Sequence, residues 1–338
     1  MNARWRNALG VSLSAGLLVW TLWGQDPAVL WGHLRDSNWW WWAAACITGT
    51  LIFPLRAIRW RIILDPIAHR LPVNILWRAT AIGMMGNNLL PARAGEFARA
   101  YALSRETDRV SFSAAFASLA VDRIFDAFVV LLLMLAAMSA PGFPDLPIFG
   151  RHVSDYVYVG ALVAAAALGA LYLIVFFPQP LLTMYEWLAR RIAPRFEEKG
   201  REALLAFASG LGVLRHPARF AAVLFWTIAH WLLNGVAFLC AYKAVGITAG
   251  FGAALMLQGL IAIGVSVPSA PGFFGIFEKI GQEGLGKLYG VDKTLATSWA
   301  IGFHLLTFIP ITIFGIYYFG RLGLHFKDLR RAEGEGGA

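Results

Sequence analysis

Six stretches of this sequence are long runs of apolar residues, and a chain carrying so many must fold inside a lipid bilayer. They are Ala8–Trp23, Asn38–Ile58, Val110–Met138, Val153–Phe177, Phe220–Val245 and Leu295–Gly320. A membrane-crossing helix takes about 20 mostly apolar residues, and all but the first stretch reach that length. Only 14% of the residues are charged, where a soluble protein carries about 25%, too few to cover a water-facing surface. No small-residue cleavage site follows Trp20–Gly24, so the first stretch reads as an uncleaved helix.

Orientation follows from Lys and Arg, which concentrate in cytoplasmic loops. With the N-terminus inside, twenty-two of the 29 fall in cytoplasmic segments and six outside, while Arg123 lies within a span. Both termini are therefore expected in the cytoplasm, in a bacterial inner (plasma) membrane. The net charge of +9 points to anionic lipid headgroups as partners rather than nucleic acid.

Two further apolar stretches are interrupted, at residues 83–95 and 264–272. A complete crossing by either would invert the charge bias of every later loop, so each reads as a re-entrant hairpin. Broken backbone at membrane depth is tolerated only where protein buries it or a wet cavity adjoins it. The breaks resemble each other: Pro91 and Gly95 match Pro268 and Gly272, each followed by Phe, at Phe97 and Phe274. The next helices also align, Val110, Ala115, Ala120 and Arg123 with Val291, Ala296, Ile301 and His304.

The expected fold class is thus an all-α polytopic membrane protein, with six transmembrane helices plus two re-entrant helical hairpins in an inverted repeat. The expected division is an N-terminal helix and outer loop (1–37), repeat 1 (38–138, hairpin 72–104), a linking helix and cytoplasmic amphipathic segment (139–218), repeat 2 (219–320, hairpin 250–286) and a tail (321–338). Inverted repeats with discontinuous helices recur in secondary transporters.

Half-helix N-termini favour anions. Pro91, Arg93, Gly95, Glu96 and Arg99, with the amides of Asn87 and Asn88, suggest a phosphate or phospholipid-headgroup site. The alternative is that Arg93 and Arg99 snorkel to the interface. Ser269, Pro271 and Gly272 shape the second half-site, with Ser269 a candidate N-cap. Charges inside an apolar helix normally pair or line a path. Asp122, Arg123 and Asp126 are accordingly either a structural ion pair or a gating and proton-coupling group. Glu278 and His304 are candidates for the same role, with a satisfied buried histidine the alternative for His304. Arg56, Arg59 and Arg61 either anchor a span end or collect anionic lipid at an entrance.

Cys46 and Cys240 sit in apolar stretches, which gives no disulfide framework and no Cys-based metal site. No P-loop, His-Glu-x-x-His or Gly-x-Ser-x-Gly motif occurs. No cofactor, metal or enzymatic activity is expected.

The runs Asn88-Leu-Leu-Pro-Ala-Arg-Ala-Gly-Glu-Phe-Ala-Arg99 and Pro268-Ser-Ala-Pro-Gly-Phe-Phe-Gly-Ile-Phe-Glu278, with Asp122-Arg123 and Arg59-Trp60, resemble the flippase-like transmembrane domain of lysylphosphatidylglycerol synthases. The resemblance covers roughly residues 10–325 and implies translocation of a lipid between leaflets. Only a short polar tail follows Leu329, so lysyl transfer is not expected. The function expected is a lipid flippase moving an anionic or zwitterionic phospholipid, polyprenyl-phosphate or glycolipid by alternating access. The rivals are an integral-membrane lipid or glycolipid transferase, which would need a positioned acid, base or nucleophile, and a scaffold for lipid-biosynthesis enzymes.

Overall fold

A computed structural model of the protein describes residues 3–90, 94–140, 143–144, 147–148, 150–176, 178–192, 198, 201, 216–266 and 271–325. Among these residues the chain is all-α apart from one two-stranded antiparallel ribbon, β1 (Pro147–Ile148) with β2 (Arg151–His152). Twelve helices follow in order: α1 (Ala3–Leu22), α2 (Pro27–Arg35), α3 (Trp39–Leu64), α4 (Val73–Leu89), α5 (Gly95–Glu106), α6 (Phe112–Met138), α7 (Val153–Phe176), α8 (Pro178–Ile192), α9 (Pro217–Ala244), α10 (Phe251–Gly264), α11 (Ile276–Glu283) and α12 (Lys293–Arg321).

Short polar side chains begin these helices by accepting bonds from otherwise unpaired N–H groups. Asp26 caps α2, Asn38 caps α3, Ser111 caps α6 and Asp292 caps α12. Helices α3, α9 and α12 are long and apolar enough to cross a membrane. Helix α6 has the length, at 27 residues, but carries Asp122, Arg123 and Asp126. The protein is membrane-embedded. Large apolar side chains face outward on α12 (Ile309, Ile313, Ile316) and α7 (Leu162, Val163), as a lipid-facing surface requires.

The order of long helix, two short helices and long helix occurs twice, as α3, α4, α5, α6 and as α9, α10, α11, α12. Three buried clusters hold this arrangement together. Trp60, Ile63, Leu76, Leu103 and Phe125 join α3 to α6. Trp42, Phe238, Tyr242, Trp299 and Phe303 join α3 to α9 and α12. Val129, Met134, Val153 and Met256 join α6, α7 and α10.

Lipid tails are as apolar as Leu, so helix association in a membrane depends on close packing and polar contacts. Helices α4 and α5 meet through glycines accordingly. A Cβ on Gly95 would lie 2.0 Å from the Gly83 carbonyl oxygen and 2.5 Å from the Asn87 backbone nitrogen, both nearly immovable. We therefore expect Gly95→Ala to destabilise the protein by about 1–3 kcal/mol, seen as a lower Tm in detergent. An unchanged Tm would show that the two helices do not cross this tightly.

Helix α11 starts at Ile276 with Gly275 as its N-cap, whereas Ser269 was the expected cap and lies outside the described residues. Gly272 and Gly275 have φ of +67° and +87°, left-handed values that cost glycine little. Together they turn the chain twice before α11 begins. Of the segment expected to be amphipathic, only α8 is described over any length. Met184, Trp187 and Leu188 are exposed on it, and the Arg191 guanidinium lies 4.5 Å over the Trp187 ring.

Candidate functional site

The two four-helix units enclose a cavity of about 570 Å³. Every helix of both units contributes to its lining: α3 (Arg56), α4 (Asn87, Asn88), α5 (Glu96), α6 (Arg123, Asp126), α9 (His230, Trp231, Asn234), α10 (Gln258), α11 (Phe277) and α12 (His304). Phe53, Phe238, Phe303, Phe308 and Ile311 make much of the remaining wall. The cavity is thus apolar with a few placed polar groups, the usual make-up of a small-ligand site.

Its charged end is one connected network. Asp122 and Asp126 are four residues apart and share a face of α6. Asp122 Oδ1 lies 2.6 Å from Arg59. Its Oδ2 lies 3.1 Å from Arg123, 3.4 Å from Arg99 and 4.0 Å from Arg56. Asp126 Oδ1 accepts from Arg59 Nη1 at 2.7 Å and from Trp231 Nε1 at 3.0 Å, while its Oδ2 pairs with Arg123 at 3.3 Å. Arg59 also donates to Thr227 Oγ1 at 3.0 Å. Glu96 reaches Arg123 Nε at 3.7 Å. Among the described residues, four arginines face three carboxylates, which leaves one positive charge in excess. Arg56 sits furthest from its carboxylate and lines the cavity.

Of the three arginines ending α3, expected together at a lipid entrance, Arg56 and Arg59 stay together at Asp122 while Arg61 parts from them. Arg56 lines the cavity, Arg59 is fully buried, and Arg61 is exposed beside Asp65, His69, Arg70 and Arg219. Helical geometry explains the split. Residues three apart share a face, and five apart they do not.

The expected headgroup site at the start of α5 is also rearranged. Pro91 and Arg93 lie outside the described residues. The Gly95 N–H donates to Asn87 Oδ1 at 3.0 Å, so an amide of the same chain already occupies part of that helix end. Asn88 donates to Thr312 Oγ1 at 2.7 Å. Arg99 is 3% exposed, stacked 4.1 Å over Trp60 behind Asp122, and does not reach the cavity. Gly95 serves the packing of α4 on α5. Pro271 and Gly272 form a single 3₁₀ turn with Phe273, and Gly272 packs against Phe274 and Phe308.

Across the cavity, Glu278 and His304 form a pair. Glu278 Oε1 lies 2.6 Å from His304 Nδ1, and its Oε2 accepts the Gly275 N–H at 2.6 Å. The imidazole is stacked on Phe277, at 4.3 Å between centroids, and flanked by Phe274 at 4.7 Å. Nδ1 is thus the ring nitrogen that faces the carboxylate. A carboxylate-oriented imidazole at a cavity wall is the arrangement that general acid–base chemistry uses.

Sequence reasoning passed over Thr227, His230, Trp231 and Asn234 of α9 and Gln258 of α10. The available signal was polar residues inside long apolar helices, where each is a functional candidate by default. Asn234 Nδ2 donates to Gln258 Oε1 at 2.9 Å, joining the two helices.

Residues 7–315 match the family described as Lysylphosphatidylglycerol synthase TM region. The chain belongs to that family. Among curated relatives, a "UPF0104 membrane protein" of Methanothermobacter thermautotrophicus is 25% identical over 92% of this chain and 91% of its own. "Glycosyltransferase AglD" of Haloferax volcanii is 28% identical over 75% of this chain, a match that spans only 44% of that relative. The second likeness corrects the expectation that the protein is not an enzyme, because a relative over three quarters of this family member is named a glycosyltransferase.

Proposed function

We propose that this member of the lysylphosphatidylglycerol synthase TM-region family acts in a glycolipid pathway as an integral-membrane lipid or glycolipid transferase. The observation that carries the reading is the Glu278–His304 pair at the wall of a cavity whose other end has a positive charge in excess. An anionic lipid enters with its tails in the bilayer and its headgroup in the cavity, beside Arg56 and Arg123. His304 Nε2 takes the proton of an acceptor hydroxyl. The acceptor oxygen bonds to the transferred group, and that group's bond to its lipid phosphate breaks. The electron pair leaves on the phosphate oxygen, towards the arginines, which suit phosphate geometrically.

The same proposal includes the finer architecture. Six helices span the cytoplasmic membrane, both termini are inside, and α4–α5 and α10–α11 are re-entrant hairpins of two inverted repeats divided near residues 138 and 219. That symmetry favours a second reading, in which the cavity carries a lipid from one leaflet to the other.

One reconstitution separates the two. Protein in liposomes made from total lipids of its host is incubated, and the lipids are extracted for mass spectrometry while leaflet exposure is followed in parallel. We expect a new lipid species that requires the protein. Leaflet exchange of an unaltered lipid, with no new species, would refute the transferase and leave the transporter.

A further inference from the structure

The positive pole accounts for one side of the cavity and the histidine for another, but neither uses the amides. Asn234 and Gln258 line the cavity and hold each other by one hydrogen bond of 2.9 Å. That bond uses one lone pair of the Gln258 Oε1. Gln258 is 2% exposed, and its Nε2 has no hydrogen-bond partner among the described residues. A buried donor without a partner costs free energy that a native fold rarely leaves unrecovered, so such a group signals a polar ligand. Trp231 stands one turn before Asn234 in the sense that residues three apart share a helix face. Its Nε1 is tied to Asp126, which fixes the ring as part of the same wall.

We infer that Trp231, Asn234 and Gln258 form a subsite for the sugar of a glycosyl phosphate lipid, lying beside the phosphate pole at Arg56 and Arg123. Three features choose a sugar over other headgroups. Amides are neutral and both donate and accept, as the hydroxyls they would meet do. An indole offers an apolar surface with a polar edge, which matches a pyranose with its C–H face and hydroxyl rim. Trp231 shares Asp126 with Arg59 and Arg123, so the amide wall and the charged pole are joined through one carboxylate. A headgroup with sugar and phosphate adjacent fits that adjacency.

This inference rests on the proposed binding of a lipid headgroup in the cavity, and the test keeps the two apart. The full chain is purified into amphipol, avoiding sugar-based detergents, which are themselves glycosylated amphiphiles. Binding of three probes is measured by titration: dodecyl phosphate, glucosyl dodecyl phosphate and dodecyl glucoside. We expect the glucosyl phosphate to bind at least ten-fold more tightly than dodecyl phosphate. Gln258→Leu should reduce that difference to less than three-fold while leaving dodecyl phosphate affinity unchanged. Equal affinity of the two phosphates for the unaltered protein overturns the sugar subsite while the headgroup reading stands. Binding of neither phosphate overturns both. The comparison of probes on the unaltered chain decides the matter even if Gln258→Leu does not fold.

Discussion

Replacing Asp122 by Ala should destabilise the protein by about 3–5 kcal/mol, the range for removing one partner of a buried ion pair. Asp122 is fully buried and is the one carboxylate within 4.0 Å of all four arginines of the network. Its loss leaves four guanidinium groups facing Asp126 and Glu96. Arg59, fully buried, has nowhere to find water. Arg123→Ala makes the control, since its side chain is 34% exposed and its removal lowers the excess positive charge. It should change stability by less than about 1 kcal/mol, as for a solvent-accessible pair. Urea unfolding in mild detergent would measure both. Comparable stability of Asp122→Ala and the parent would mean that the network is not held by this residue.

The helices were legible because their signals are local. Apolar runs set the lengths, and Gly and Pro mark the interruptions at residues 83–95 and 264–272. The clustering of Asp122, Arg123 and Asp126 was visible too, as charges that an apolar helix does not carry without partners. Their partners were not visible. Arg56, Arg59 and Arg61 look alike in sequence, and only the placement of α6 against α3 gives Arg59 two carboxylates while Arg61 stays exposed. Gly95 illustrates the opposite difficulty. It reads as part of an anion site because helix starts bind anions, yet its neighbour Gly83 uses it for contact between helices. Single polar residues such as Asn234 and Gln258 carry no pattern by themselves. Their meaning comes from a hydrogen bond across 24 residues of sequence.

Replacing His304 by Gln should lower turnover by about 10²–10⁴-fold, the usual contribution of a positioned general acid or base. Glutamine fills much of the space between Phe274 and Phe277 and can still donate to Glu278, but it has no nitrogen lone pair to receive a proton. Folding should therefore survive, with Tm close to that of the parent. Glu278→Gln is the harsher change, because Glu278 has two tasks. One carboxylate oxygen orients His304 and the other accepts the Gly275 N–H at the start of α11. An amide can keep the Gly275 N–H with its oxygen and hold Nδ1 only by donating to it, which moves the ring proton to Nε2 and replaces a charge-assisted bond with a weaker neutral one. That variant should lose both activity and stability, whereas His304→Gln should lose activity alone. The contrast separates chemistry from support. If His304→Gln retained turnover within about three-fold, the pair would be a structural brace between α11 and α12 rather than an acid–base group. Headgroup binding at Arg56 and Arg123 would stand, and the cavity would be better read as a passage than as a reaction site.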